Sequence, residues 1–161
     1  MRKGGAETVA VYYREIPGMI KLLRAERQAL EDEYNGLRAP AIDGLPHGSA
    51  PGMPTEALAL RTAEAGVMER LREIEARLHT LDADAATIRR SLDALGSKYK
   101  RMILLRVLCN YSWARISVKL GVPDSTVRYW YRLALERLAA VLEEESGVSE
   151  LERRASRARS L

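Results

Sequence analysis

Apolar residues return at alternating steps of four and three through much of the chain's middle: Leu60, Val67, Leu71, Ile74, Leu78, Leu81, Ala85, Ile88, Leu92 and Leu95, with the polar Glu64 in the same series. No proline interrupts residues 56–95, and Gly66 is the one glycine among them. This period predicts a long helix over 55–96 with a coiled-coil seam, started by Thr55 as N-cap. Forty helical residues would span about 60 Å. Such a helix cannot bury its stripe alone. It pairs with another helix of the chain folded back over it, with a second copy, or with both.

A shorter seam precedes it: Ile16, Ile20, Leu23, Leu30, Tyr34 and Leu37, with Arg27 at the missing position. It predicts an N-terminal helix over 9–37 whose main part starts at Pro17, a residue tolerated in a first turn. Arg27 is either a register device or a side chain that snorkels. Tyr12 and Tyr13 either pack on a neighbouring helix or form a partner surface. Residues 1–8 read as a disordered arm. Residues 38–54 hold Pro40, Pro46, Pro51 and Pro54 with Gly44, Gly48 and Gly52, and read as a loop. Past Gly96-Ser97 three shorter helical segments follow: Lys98–Asn110, Ser112–Leu120 and Pro123 to about Glu144. The last stretch, 146–161 with RRASRAR, reads as a flexible basic tail.

Composition narrows the picture. The 161 residues hold seven Tyr, two Trp and no Phe, which argues against a single thick core. No apolar run approaches the ~20 residues of a membrane span, and no h-region follows the basic start, so secretion is not expected. One cysteine, Cys109, fits a reducing compartment and reads as a small buried hydrophobe. His47 and His79 read as solvated, and with Cys109 they offer no metal-ligand spacing. No phosphate-binding loop, dinucleotide fingerprint, zinc-protease or serine-hydrolase motif is present. Neither catalysis nor a cofactor is expected.

Charge is concentrated. Residues 97–142 carry nine basic side chains (Lys98, Lys100, Arg101, Arg106, Arg115, Lys119, Arg128, Arg132, Arg137) against Asp124 and Glu136, while the whole chain is only +4. A local basic block on a helical module points to a polyanion partner.

That block contains YSWARISVKLGVPDSTVRYWYRLALERL, Tyr111 to Leu138. Ser112 can cap a short helix with Trp113, Ile116 and Leu120 on one face. Gly121 supplies the turn and Val122 plugs the gap between helices. A second helix follows with Val127, Trp130 or Tyr131, Ala134, Leu135 and Leu138 inward, and Tyr129 outward. Two helices joined by a short glycine turn form a helix-turn-helix, whose second helix would enter a major groove.

These residues resemble the helix-turn-helix of sigma-factor region 4. More widely, residues 10–142 resemble small phage-encoded regulators of the ArpU/RinA type: a tyrosine-rich N-terminal helix, a Gly/Pro loop (here Gly44-Leu45-Pro46-His47-Gly48), a coiled-coil helix and a sigma-like C-terminal module. The resemblance implies a regulator of phage late genes, with promoter DNA and host RNA polymerase as partners. By position it implies groove reading by Asp124, Ser125, Arg128 and Tyr129, and phosphate contacts by Thr126 and Arg132. Arg115 and Lys119 join them as basic groups of the module. Asp124 stands where sigma factors usually carry a basic residue, and Pro123 where they carry a Ser or Thr cap. Nothing in the chain resembles a promoter-melting region, so it is not expected to initiate transcription as a lone sigma factor.

The expectation is an all-α protein: a coiled-coil hairpin or arm, then a sigma-region-4-like helix-turn-helix domain over 97–145. It would bind double-stranded DNA in a bacterial host's cytoplasm, as a homodimer or higher oligomer. A DNA-packaging recognition subunit similar to small terminase subunits is the alternative.

Overall fold

The computed structural model describes residues 3–38 and 54–159. All its regular elements there are helical: α1 (Lys3–Arg38), α2 (Pro54–Asp93), α3 (Ser97–Ile103) continued by a π-helical turn (Leu104–Leu108), α4 (Trp113–Leu120), α5 (Asp124–Glu143) and α6 (Val148–Ala158). The chain is thus all-α, as the periodicity predicts. The Gly/Pro segment with His47 lies outside the described residues. Thr55 falls within α2 rather than capping it, since the helix already includes Pro54. No helix among the described residues is long and apolar enough to cross a membrane.

The helices fall into two compact units. One is Met19–Thr80; the other takes the chain up to Gly18 together with Leu81 onward. Helices α1 and α2 contribute to both.

In the unit Met19–Thr80 the buried positions are Leu23 and Leu30 of α1 and Val67, Ile74 and Leu78 of α2. All belong to the two seams. The intervening seam members Ile20, Tyr34, Leu37, Glu64 and Leu71 are half-buried. Arg38 Nε lies 3.9 Å from Glu64 Oε1, an ion pair between the two helices. Arg27 is half-buried, and its Nε reaches Glu31 Oε1, one turn on, at 3.3 Å without hydrogen-bond geometry. The stem and Nε are thus enclosed at the seam position while the side chain as a whole stays part-exposed.

The other unit has a wider core. Ala6, Val9, Ala10, Tyr12 and Ile16 of α1 are buried. The chain is therefore helical from Lys3, where a disordered arm over 1–8 was expected. Small apolar side chains meeting other helices stabilise turns that Gly4 and Gly5 would weaken in isolation. Pro17 sits inside α1 rather than at its start. It removes one backbone donor, a cost of about 3 kcal/mol in a helix interior that packing around Ile16 offsets.

Leu81, Ile88 and Leu92 of α2 are buried with Leu95, so the core of this unit begins well before residue 97. Between them lies a buried carboxylate. Asp84 Oδ2 accepts from the Tyr12 hydroxyl at 2.9 Å and from Arg154 Nε at 2.8 Å, and Arg154 Nη2 donates to Oδ1 at 2.5 Å. Burial, and then Asp84, hold the Tyr12 phenol far above its usual range. Arg154 belongs to α6, whose Leu151 and Ala155 are also buried. The expected flexible tail over 146–161 is thus replaced by a docked helix over most of its length. Two buried apolar residues one turn apart and one charge partner help to seat it.

Candidate nucleic-acid interface

Three segments build the candidate interface. Helix α3 runs into the π-helical turn, where the Cys109 N–H donates to Leu104 O at 2.9 Å. Met102, Ile103, Leu105 and Val107 take the inward positions, which leaves Cys109 exposed rather than buried as expected. Asn110 then takes a left-handed φ of 51°, a conformation asparagine tolerates better than most residues. Ser112 caps α4, its Oγ accepting from the Arg115 N–H at 3.2 Å. Gly121 (φ 65°) ends α4 in the left-handed region, and Ser117 Oγ donates to Val122 O at 2.5 Å to tie the turn. Pro123 precedes α5 without a side-chain cap.

Helix α5 buries Val127, Tyr131, Ala134, Leu135 and Leu138. Tyr131, not Trp130, is therefore the inward aromatic. Its ring meets Trp113 edge-on at 5.2 Å, fixing α4 against α5. Its hydroxyl donates to Glu7 Oε1 at 2.9 Å. Burial, and then that carboxylate, raise its phenol well above 10.

The site residues expected from the sequence fall into four groups. Asp124 and Arg128, one turn apart on α5, bond each other: Arg128 Nε donates to Asp124 Oδ2 at 2.7 Å. Tyr129 is exposed, and Arg132 lies over its ring at 5.3 Å from the centroid. Arg115 and Lys119 of α4 line an open depression of about 460 Å³ with Tyr111, Ala114 and Val118. Ser125 is exposed and Thr126 half-buried on α5.

Aromatic faces support the basic groups well beyond the expected set. Arg106 lies 4.3 Å from the Trp113 centroid and Arg128 5.3 Å from the same ring. Arg115 lies over Tyr111 at 4.0 Å, Lys98 over Trp130 at 3.7 Å and Arg137 over Tyr99 at 4.2 Å. A cation on a ring face keeps its charge while losing mobility, so a polyanion meets groups already placed. Arg106 is held further by donating to Tyr111 O at 2.8 Å. Lys98, Arg106 and Arg137 belong to the basic block read from the sequence but were not among its expected site residues. A signal was present in the interleaving Lys98-Tyr99-Lys100 and Arg128-Tyr129-Trp130-Tyr131-Arg132, but the ring each cation meets lies mostly on another helix.

Among the described residues no group of three or more His, Cys, Asp or Glu side chains could hold a metal ion. Comparison with curated proteins and with solved structures returns no match. Residues 85–138 match the family model for sigma-70, region 4. The match opens inside α2, close to where the compact unit resumes at Leu81, and ends at the buried Leu138. The segment from the end of α2 to α5 is thus a sigma-region-4-like helix-turn-helix domain, of a DNA-binding kind associated with transcription.

Proposed function

We propose that this chain is a sequence-specific DNA-binding transcription regulator of a phage or prophage, acting on late-gene promoters in the bacterial cytoplasm. The observation that carries the reading is the sigma-region-4 match over the one block of the chain that is strongly basic. Helix α5 docks its first turns in the major groove, with Ser125, Arg128 and Tyr129 toward base edges. Arg115, Lys119, Thr126 and Arg132 meet phosphates, which makes affinity fall steeply with salt.

The unit Met19–Thr80 serves oligomerisation in this reading. Leu22 (73% exposed) and Leu58 (65% exposed) stand outside its seam, and Leu60 is a seam residue left 42% exposed. A dimer would present two recognition helices to one operator, and host RNA polymerase is the partner for activation.

The test is a competition measurement. Arg128→Ala weakens binding to the selected operator far more than to random duplex; equal loss on both would reduce Arg128 to a phosphate contact. Light scattering on the same protein gives its mass. A dimer supports the regulator, whereas a ring of eight or more copies would favour a DNA-packaging subunit.

A further inference from the structure

Asp124 is an acid in the first turn of the helix offered to a polyanion, in a block where cations outnumber acids nine to two. Phosphates repel it, and its presence lowers the electrostatic affinity of the whole face. An acid in a first turn complements the helix dipole, but the dipole does not require the bond that Asp124 makes. Asp124 Oδ2 receives Arg128 Nε at 2.7 Å, while the Arg128 guanidinium lies 5.3 Å from the Trp113 ring. The arginine is therefore held at its Nε edge and against an aromatic ring. Its two Nη groups have no hydrogen-bond partner among the described residues.

We infer that Asp124 is a positioning residue for sequence readout: it neutralises and orients Arg128, so that the guanidinium engages the O6 and N7 acceptors of a guanine rather than a phosphate. The inference rests on the DNA-binding reading above and deepens it. A free arginine beside DNA binds phosphate readily, because that contact is strong and present at every step. The Asp124–Arg128 pair carries little net charge, so phosphate attraction weighs less in where the guanidinium goes. What remains is the fixed fork of Nη1 and Nη2, which matches two acceptors on one base edge, and guanine in the major groove offers that pair. Affinity is lost and discrimination gained.

The measurement is site selection from a random duplex library, followed by affinities at several salt concentrations, for the wild type, Asp124→Asn, Asp124→Glu and Arg128→Ala. The wild type selects a site with guanine fixed at one position. Asp124→Asn binds random DNA more tightly, with a salt slope steeper by about 0.9, as expected for one more phosphate contact. Its guanine preference falls roughly tenfold at that position and nowhere else. Asp124→Glu, which can still reach one turn along the helix, keeps most of the preference. Arg128→Ala loses the same position without steepening the salt slope.

Guanine preference unchanged in Asp124→Asn overturns the inference, even if affinity rises, since Asp124 is then only a repulsive charge. A site with no guanine dependent on Arg128 overturns it too, and leaves DNA binding itself standing. Failure of the wild type to bind any duplex at low salt overturns the reading beneath it and the inference together. Helical content by circular dichroism, unchanged across the variants, keeps unfolding out of the comparison.

Discussion

The apolar seam that runs along α2 keeps one period from Leu60 to Leu92, and on to Leu95 just past its end, yet its two halves have different surroundings. Within Met19–Thr80 the seam is unevenly covered: Val67, Ile74 and Leu78 are buried, but Leu60 is 42% exposed and Leu71 half-buried. From Leu81 on, Ile88 and Leu92 are fully enclosed, and even off-seam residues Asp84 and Ser91 are buried. Heptad spacing shows that a stripe must be covered. It does not show by how much. The polar chemistry follows the same division. In Met19–Thr80 the ion pairs Arg27–Glu31 and Arg38–Glu64 lie at or near the surface, where such pairs contribute ~0–1 kcal/mol. In the other unit a buried carboxylate has three hydrogen bonds from two helices.

Charge deletion therefore separates the two regions most sharply. Asp84→Ala leaves Tyr12 and Arg154 facing each other without an acceptor, and should cost about 3 kcal/mol, toward the low end for a buried pair because Arg154 keeps partial solvent access. Arg38→Ala, at the 3.9 Å pair, should stay within about 0.5 kcal/mol. Urea denaturation of both variants gives the comparison. Similar small losses would mean that Asp84 is solvated and the two regions are alike.

Removing an apolar side chain comes next. Leu151→Ala, at a buried position of α6, should lower stability by about 2–3 kcal/mol, whereas Leu58→Ala, at an exposed position of α2, should be close to neutral. Thermal unfolding of the pair distinguishes them. A neutral Leu151→Ala would return residues 148–158 to the status of a tail.

The alkaline limb of stability gives a smaller contrast, confined to the larger unit. Tyr131 has its phenol raised above 10 by burial and by Glu7. Below pH 10 the phenol is neutral in both folded and unfolded chains, and its contribution is whole. Above pH 10 the unfolded chain releases this proton and the folded chain holds it. Stability then falls with rising pH, by at most about 1.4 kcal/mol per pH unit for this group. Tyr131→Phe should lose that part of the slope between pH 10 and 11.5 while showing a constant offset at pH 7 to 9. Parallel curves for the two proteins across the whole range would remove the titration from the explanation.

Local spacing explains what was legible in the sequence. Ser112, Gly121 and the inward set Ile116, Val127, Leu135 and Leu138 stand at positions that a helix-turn-helix needs, and each does its expected local task. Tertiary partners explain what was not. Nothing within RRASRAR says that Arg154 will meet Asp84, 70 positions earlier. Ala6, Val9 and Ala10 look too small to anchor a helix until other helices enclose them. Cys109 looks like a core residue by type, but the π-helical turn gives the inward positions to Leu105 and Val107. Within the candidate interface the residues Asp124 and Arg128 were visible, while their mutual bond depends on rotamers that spacing alone leaves open.

The smallest effect tests the thin region from the opposite direction, by strengthening it. Gly66 lies inside α2, and apart from its chain neighbours and the helix's own backbone no heavy atom comes within 4 Å of the place a Cβ would occupy. A glycine in a helix interior costs ~0.5–1 kcal/mol relative to alanine, because the unfolded chain has more freedom to lose. Gly66→Ala should therefore stabilise by up to about 1 kcal/mol, with no contact made or broken. Because Gly66 belongs to Met19–Thr80, hydrogen exchange gives the finer reading. Amides near residue 66 should slow severalfold, while those around Ile88 and Leu138 change only if the two units unfold together. A gain confined to the neighbourhood of Gly66 would show that the thin region opens on its own. A uniform gain would show that one cooperative transition governs both, despite the difference in their cores.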